Sequence, residues 1–323
     1  MRNMLVTGGA GFIGSSLVDR LLQKGEKVVA LDNFDPFYRK ETKLNNLAKA
    51  FEQPNFSFVE GDIRDRSLML KVLADHQIDI VIHLAAKAGV RPSLADPSSY
   101  YDVNVNGTLN ILEGMRALGI KKIVFGSSSS VYGNNRTIPF REDHNVDFPI
   151  SPYASTKKSG ELLCHVYSHL YGFEINCLRF FTVFGPRQRP DLAIHKFTKL
   201  ISANQPIPFY GDGSTSRDYT YVDDIVDGII SASIHFNGYN IMNLGGSNPV
   251  SLSELVKKIG KLLEKEPILD RRPMQAGDVD LTFGSIEKAK ELLNYAPKVG
   301  IDKGLKLFVD WFIENETPAC IKY

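Results

Sequence analysis

The stretch MLVTGGAGFIG, residues 4–14, decides the fold. Its apolar start predicts a buried strand, and the SSLVDRLLQKG that follows, residues 15–25, has the spacing of an amphipathic helix. The glycines between them fit G-x-G-x-x-G from Gly9, with a second register from Gly8. In this setting the glycines allow a tight turn, the approach of a pyrophosphate to the helix N-terminus and close packing of helix on strand, so the stretch predicts a dinucleotide site.

A second apolar run, KVVALDN at residues 27–33, predicts the next strand and ends in Asp32. An acid at this distance from the glycines is suited to hydrogen-bond the ribose of an adenosine. Its charge would repel a 2'-phosphate, which favours NAD over NADP. The alternative is that Asp32 and Asn33 only begin a loop.

Strands and helices alternate through the first half of the chain, which predicts an α/β fold with a Rossmann-type doubly wound parallel sheet. In such sheets ligands bind beyond the carboxyl ends of the strands. The further predicted strands are NFSFVEGDI (55–63), DIVIHLAA (79–86), KKIVFGSSSS (121–130) and INCLRFFTVFG (175–185). The helical patterns between them cover 65–75, 98–118 and 152–171.

After Gly185 the alternation loosens and proline and glycine become frequent. We expect residues 1–180 to form the NAD-binding domain, a segment near 219–245 to return to it, and residues 181–323 to form a smaller α/β lobe. The helices predicted in this part lie near 191–204, 222–236, 251–265 and 285–294.

Composition narrows the functional classes. With 38 basic and 37 acidic residues the 323-residue chain is nearly neutral and has no basic run, which argues against general nucleic-acid or membrane binding. No apolar stretch approaches the ~18 residues of a membrane span. Cys164, Cys177 and Cys320 form no C-x-x-C, which is typical of reduced cysteines in a cytoplasmic protein. The seven histidines are scattered, so no metal site is predicted.

The pattern SPYASTKKSGELL, residues 151–163, places Tyr153 four residues before Lys157. On a helix these side chains share a face, and a nearby cation favours a phenolate that could accept a proton. Taken alone, such a pair is usually an amphipathic pair on a solvated helix. Residues 127–130 add a serine run at a predicted strand end, and Ser128 could hold a substrate hydroxyl toward Tyr153. Serine runs are otherwise common in turns.

TGGAGFIG, Asp32, GDIRD (61–65), HLAA (83–86), NVNGT (104–108), SSSSVYG and YASTK together resemble the extended short-chain dehydrogenase/reductases, specifically their nucleotide-sugar epimerases. The resemblance covers essentially the whole chain. It implies Ser128, Tyr153 and Lys157 as the catalytic trio, and Asn104, behind the active-site helix, as a further catalytic residue. The NAD contacts it implies are Gly8, Gly11, Phe12, Ile13, Gly14, Asp32, Asn33, Asp62, Ile63, Leu84, Ala85, Ala86, Lys87, Tyr153 and Lys157.

Two longer stretches, 31–47 and 178–197, look most like UDP-glucuronate 4-epimerases. That resemblance places Thr182 near the sugar and associates Arg189, in an Arg-Pro-Asp tripeptide, with a hexuronate. A guanidinium is suited to a carboxylate through paired hydrogen bonds. Alternatively, Arg187 and Arg189 bind the diphosphate or stabilise a loop. The implied substrate contacts are Ser128, Ser129, Thr182, Arg189, Arg217 on the UDP phosphates and Asp278 near the uridine ribose.

The activity implied is NAD-dependent epimerisation at carbon 4 of a UDP-hexose through a 4-keto sugar, with UDP-glucuronate as the expected substrate. The alternative substrates for epimerisation are UDP-glucose and UDP-N-acetylglucosamine. The alternative activities are decarboxylation of UDP-glucuronate and simple dehydrogenation, and the non-enzyme alternative is an NAD-responsive binding protein. A 4,6-dehydratase is disfavoured because Ser129 and Ser130 stand where that group carries an acidic pair. Members of the family commonly dimerise through helices equivalent to 98–118 and 152–171, so a homodimer is expected.

Overall fold

The computed structural model of the protein describes residues 1–274 and 279–316. The strands in these ranges are β1 (Asn3–Thr7), β2 (Lys27–Asp32), β3 (Phe56–Glu60), β4 (Ile80–His83), β5 (Lys122–Ser128), β6 (Glu174–Phe180), β7 (Thr182–Phe184), β8 (Ile207–Tyr210), β9 (Ser216–Tyr221), β10 (Tyr239–Leu244), β11 (Pro249–Ser251) and β12 (Leu269–Arg272).

The helices are α1 (Phe12–Gln23), α2 (Lys40–Asn46), α3 (Ala48–Phe51), α4 (Arg66–Asp75), α5 (Val90–Ala95), α6 (Pro97–Tyr101), α7 (Gly107–Leu118), α8 (Pro152–Tyr171), α9 (Ala193–Ser202), α10 (Val222–Ala232), α11 (Leu252–Leu263), α12 (Glu287–Leu293) and α13 (Ile301–Asn315). A π-helical turn spans Asp102–Asn106, and a 3-10 helix spans Ser129–Tyr132.

Seven parallel strands form the central sheet in the order β10-β6-β5-β4-β1-β2-β3. The strand order reverses between β1 and β4, which places a ligand crevice at the carboxyl ends of these two strands. The predicted Rossmann-type parallel sheet is confirmed. Its strands read as continuous apolar runs because helices cover both faces.

Successive residues of β1 supply two separate parts of the core. Met4 and Val6 join the cluster that contains the apolar residues of α1 and α10, whereas Leu5 joins the cluster beneath α4, α7 and α8. All three side chains are fully buried. The alternation follows from the two-residue period of a strand, and it anchors the glycine-rich loop to both layers of the domain.

The region predicted as one helix over 98–118 is interrupted. Helix α6, the π-helical turn and α7 follow one another there, and Asn104 lies in the wide turn. Insertion of a π turn redirects a side chain that a regular helix would place elsewhere, and such turns are frequent at functional sites. The sequence pattern indicated the helical period over 98–118 but not the π-helical turn within it.

The remaining strands form a three-stranded sheet, β11-β9-β7, and a two-stranded sheet, β12-β8. Strand β10 pairs with β6 in the central sheet, while α10 packs beside α1, where Arg20 forms an ion pair with Asp227. The domain boundary near residue 180 stays a prediction. Helix α13, with Phe308 and Phe312 buried, had no counterpart in the sequence interpretation. Across residues 1–274 and 279–316, no helix combines the length and apolarity that a membrane crossing requires.

Candidate active site

The glycine-rich loop leaves a cradle beneath the start of α1. Gly8 has φ +70°, and a Cβ on it would come within 2.8 Å of the Ala85 backbone nitrogen. A Cβ on Gly14 would overlap the Gly8 carbonyl oxygen. No side chain caps the α1 N-terminus, so its first N–H groups stay available to an anion. The loop therefore fits the pyrophosphate of a dinucleotide and tolerates no side chain at these two positions.

Asp32, at the end of β2, is held by more groups than the sequence indicated. Its carboxylate accepts hydrogen bonds from the backbone N–H of Ala10 at 3.2 Å and of Phe34 at 2.9 Å. The Lys43 Nζ lies 3.2 Å from the same carboxylate, and both side chains are buried. Lys43 comes from α2, whose short polar sequence KETKLNN carries no binding motif. The acid is fixed at the cleft wall, at the position suited to an adenosine ribose.

Asp62 forms the neighbouring edge of the cleft. Arg64 binds its carboxylate through Nε at 3.0 Å and Nη2 at 2.8 Å, and the Asn33 amide donates at 2.8 Å. These hydrogen bonds, that from Arg64 first, lower the pKa of Asp62 to about 2. A hydrogen bond therefore joins Asn33 and Asp62, which were predicted separately, at one charged edge of the cleft.

Helix α8 carries the predicted Tyr and Lys pair and has clear start and stop signals. Ser151 caps it by accepting the Ala154 N–H at 3.2 Å, Pro152 occupies its first turn, and Gly172 ends it with φ +65°. Within the helix, a Cβ on Gly160 would overlap the Phe125 ring of β5. This close packing brings the helix against the strand that ends in the serine run.

Lys157 is buried where α8 packs against β5. Its Nζ donates to the Gly126 carbonyl at 2.7 Å, on strand β5. Burial lowers the pKa of Lys157 to about 8, so the ammonium is still mostly protonated at neutral pH. The lysine therefore provides a positive charge on the inner face of α8, one turn from Tyr153.

The ionisation of Tyr153 differs from the expectation. Burial raises the pKa of Tyr153, whereas a hydrogen bond with Ser128 and the charge of Arg189 act in the opposite direction. The expectation that the nearby cation Lys157 favours the phenolate is not met in the protein chain by itself, since the net shift of the pKa of Tyr153 is upward. The physical reason is that desolvation of the anion outweighs the nearby positive charges. The predicted pairing of Ser128 with Tyr153 agrees with the structure.

Asn104 lies behind the site and does not line the cleft within the described residues. Its Oδ1 accepts the Lys87 N–H at 2.8 Å, and its Nδ2 donates to the Lys87 carbonyl and to the Thr156 hydroxyl, each at 3.0 Å. It thus ties the β4–α5 loop to α8. These contacts are those of a positioning residue, and the catalytic role of Asn104 stays a prediction.

Arg189 lines the same cleft as Tyr153. Asp191 binds it at two points, Nε to Oδ1 at 3.0 Å and Nη2 to Oδ2 at 2.8 Å. Its guanidinium lies 5.2 Å from the centroid of the Phe37 ring. The arginine is therefore fixed in orientation by Asp191, and its positive charge acts to lower the pKa of Tyr153.

Among the residues that the structure describes, Arg217 does not line this cleft. Its Nη1 donates to the Ser216 carbonyl at 2.9 Å. Asp278, the other predicted UDP contact, lies outside the described residues. The neighbouring Asp218 was not predicted: it is fully buried and accepts the N–H groups of Gly246 at 2.9 Å and Gly284 at 3.2 Å. Burial raises the pKa of Asp218 to about 6.

One cleft of about 600 Å³ joins most of the predicted positions. It runs from the glycine-rich loop to the end of β5 and the loop after β7. The predicted residues that line it are Gly8, Gly11, Phe12, Ile13, Gly14, Asp32, Asn33, Asp62, Ile63, Leu84, Ala85, Ala86, Lys87, Ser128, Ser129, Tyr153, Lys157, Thr182 and Arg189. The described part of the chain contains no group of three His, Cys, Asp or Glu side chains arranged to hold a metal ion.

Known proteins resemble the chain over nearly its full length. A UDP-glucuronate 4-epimerase of Thermodesulfobacterium geofontis is 44% identical over 312 residues, covering 96% of each chain. The crystal structure of a UDP-glucuronic acid 4-epimerase from Bacillus cereus, in complex with UDP-glucuronic acid and NAD, superposes with a TM-score of 0.92 at 36% identity, covering 97% of this chain and 99% of that one.

A dTDP-glucose 4,6-dehydratase from Streptomyces venezuelae, with NAD and TYD bound, also superposes with a TM-score of 0.92, at 30% identity and with 97% and 98% of the two chains covered. Residues 5–308 match the family described as GDP-mannose 4,6 dehydratase. The nucleotide cleft, the Tyr and Lys pair and these matches agree: the chain belongs to the GDP-mannose 4,6 dehydratase family, within the extended short-chain dehydrogenase/reductases that include epimerases and dehydratases.

Proposed function

We propose that the protein is an NAD-dependent 4-epimerase that interconverts UDP-glucuronate and UDP-galacturonate. The observation that carries this proposal is the placement of Arg189 beside the Ser128 and Tyr153 pair in the dinucleotide cleft. A fixed guanidinium next to the proton acceptor suits a substrate that carries a carboxylate close to its reacting hydroxyl. The epimerase relatives support the same substrate.

The residues present fit NAD. Gly8 and Gly14 would form the cradle for its pyrophosphate, Asp32 would accept from the adenosine ribose, and Lys157 and Tyr153 would hold the nicotinamide half, since all of them line one cleft. When bound, NAD supplies the hydride acceptor and donor for carbon 4 of the sugar. Because no net oxidation results, the protein needs no external electron acceptor.

The side chains of the cleft handle the proton and the orientation of the sugar. Ser128 holds the 4-hydroxyl, and Tyr153 accepts its proton and later returns one to the 4-keto oxygen. The hydrogen bond with Ser128 and the positive charge of Arg189 oppose the desolvation that raises the pKa of Tyr153. The phenol becomes a useful proton acceptor only when the positive charge around it is large enough to offset its desolvation.

Inversion requires the 4-keto sugar to present its opposite face while the UDP end stays anchored. A 4-keto glucuronate is a β-keto acid and loses carbon dioxide readily. We propose that Arg189, held by Asp191, keeps the carboxylate in an orientation that disfavours this loss. Decarboxylation therefore remains the competing activity to be tested.

The test is proton NMR of purified protein incubated separately with UDP-glucuronate, UDP-glucose and UDP-N-acetylglucosamine, without added NAD. We expect UDP-galacturonate from the first. Arg189→Gln should lower kcat/KM for UDP-glucuronate by ~100-fold, the effect of losing a charge-assisted hydrogen bond pair, and affect the neutral sugars far less.

Arg141→Gln is the matched control, because Arg141 pairs with Asp143 at the same two-residue spacing, on the surface. It should leave all activities near the parent value. Products from the neutral sugars alone would overturn the glucuronate assignment, and a UDP-pentose with released carbon dioxide would identify a decarboxylase. Absence of any product would favour the binding-protein alternative.

We propose that the protein is a homodimer that pairs through α7 and α8. Leu162, Val166 and Leu170 recur every four residues on α8 and are 54%, 45% and 60% exposed, with Leu109 of α7 also exposed. An apolar stripe of this kind on a helix surface is typical of an interface. Sedimentation equilibrium should give twice the chain mass, and Leu162→Glu with Leu170→Glu should give the monomer. A monomeric parent protein at micromolar concentration would contradict the proposal.

A cytoplasmic location is also proposed. Cys164 and Cys177 are buried and unpaired by disulfides, as expected of a reducing compartment, and the sugar nucleotide is an intracellular class of substrate. Recovery of the protein from a secreted or membrane fraction would contradict this location.

A further inference from the structure

The loop between β2 and α2 carries a hydroxyl that the proposed chemistry does not use. The Tyr38 Oη is buried and has no hydrogen-bond partner among the described residues. Leaving a buried hydroxyl unpaired is unfavourable, and side chains of this kind in native proteins normally find a protein, water or ligand partner. Tyr38 lines the dinucleotide cleft, so a bound ligand is within the reach of this hydroxyl.

The glycine-rich loop lies directly below this hydroxyl. A Cβ placed on Gly11 would lie 3.9 Å from the Tyr38 Oη, at ordinary contact distance. Gly11 is the N-cap of α1, where free N–H groups point out of the helix. The hydroxyl therefore lies close to the helix N-terminus.

The surroundings of Tyr38 act on its ionisation. Burial and then the charge of Asp32 raise the pKa of Tyr38, while Arg189 acts in the opposite direction. The phenol therefore stays protonated and able to donate. The geometric guide to its place is Gly11 of the glycine-rich loop, 3.9 Å away from the Tyr38 Oη when given a Cβ, where the pyrophosphate of a dinucleotide would bind.

Two cation contacts hold the loop in this position. The Lys43 Nζ lies 5.0 Å from the centroid of the Tyr38 ring, and the Arg189 guanidinium lies over the adjacent Phe37 ring. Such contacts stabilise a ring without using its hydroxyl. The ring is thus oriented in advance, and its hydroxyl is left for a ligand.

We propose that Tyr38 donates a hydrogen bond to a pyrophosphate oxygen of the bound dinucleotide and closes the anion site formed by the glycine-rich loop. This inference rests on NAD as the cofactor in the proposed function. It adds a side-chain donor to a site otherwise built from backbone N–H groups.

The test compares the parent protein with Tyr38→Phe after the bound nucleotide has been removed. Isothermal titration with NAD, ADP and adenosine separates the phosphate contribution from the adenosine contribution. We expect Kd for NAD and for ADP to rise by ~10-fold or more, as for loss of a hydrogen bond to a charged group, and Kd for adenosine to stay unchanged. The NAD content of freshly purified Tyr38→Phe should fall in parallel.

Tyr101→Phe is the matched control, since the Tyr101 hydroxyl is bonded to Ser155 on the surface at 2.8 Å. It should leave all three dissociation constants unchanged. Unchanged binding of NAD by Tyr38→Phe would overturn the inference, as would an equal loss for adenosine. Failure of the parent protein to bind NAD would instead remove the cofactor assignment, so the two failures are distinguishable.

Discussion

Tyr153→Phe is expected to lower kcat for UDP-glucuronate epimerisation by roughly 1,000-fold, within the 100- to 10,000-fold range of general acid–base catalysis. The substitution removes the proton acceptor and leaves the ring, its burial and the packing of α8 in place. Because the cradle formed by Gly8 and Gly14 is untouched, NAD binding should persist. Initial rates followed by proton NMR, together with the NAD content of the purified variant, measure both effects.

Tyr100→Phe is the control for this variant. The Tyr100 ring lies 6.3 Å from the Tyr153 ring, but its hydroxyl donates to the Ala88 carbonyl at 3.0 Å. Loss of this hydroxyl should change kcat only a few-fold. If Tyr153→Phe kept more than a tenth of the parent activity, another group would have to accept the proton and the proposed role of Tyr153 would fail.

Glu161→Leu is expected to lower the free energy of unfolding by roughly 3–5 kcal/mol, the usual cost of removing one partner of a buried ion pair. Arg179 binds Glu161 through Nε at 2.8 Å and Nη2 at 2.9 Å, and both side chains are only 1% exposed. The Ser127 hydroxyl also donates to this carboxylate, at 2.6 Å. The variant leaves the guanidinium charge buried without its acceptor beneath the end of β5.

The double variant Glu161→Leu with Arg179→Met should recover most of the lost stability, since a well-packed apolar pair can replace a buried ion pair. Asp310→Asn is the surface control: its pairing with Lys306 is exposed, and its loss should cost well under 1 kcal/mol. Urea unfolding of the four proteins gives the comparison. A Glu161→Leu protein as stable as the parent would show that Arg179 finds another partner, against this account.

The positions that the sequence predicted well are those where backbone geometry demands a residue type. Gly8 and Gly14 are required by a positive φ and by the absence of room for a Cβ, and such demands are visible as a spacing. Tyr153 and Lys157 share one face because of the helical period. Local rules of this kind need no knowledge of distant partners.

The residues that were missed act through contacts between distant segments. Lys43 reaches Asp32 across eleven positions, Glu161 meets Arg179 across eighteen, and Asp218 accepts from Gly284 across sixty-six. Each is a common polar residue in an unremarkable local pattern, so only the folded chain brings the partners together. The final helix α13 is different, because Phe308 and Phe312 are buried at the four-residue spacing of a helix and its period was therefore readable from the sequence.

The electrostatic prediction for Tyr153 failed for a related reason. Spacing placed a cation near the phenol, but the degree of burial that raises its pKa is a property of the whole packed site. The positive charge of Arg189, contributed by a loop 36 residues along the chain, was considered for substrate binding or for stabilising a loop, and not for the ionisation of Tyr153. The sequence therefore predicted where Tyr153 and Lys157 lie, but not whether burial or nearby charge dominates the pKa of Tyr153.

The central claim is that hydrogen leaves carbon 4 of the sugar and returns to the same carbon within one closed site. Incubating the protein with UDP-glucuronate deuterated at carbon 4, in ordinary water and with excess unlabelled NAD, tests this directly. The account predicts UDP-galacturonate that keeps its deuterium at carbon 4. Loss of the deuterium to water or to the added NAD would contradict it.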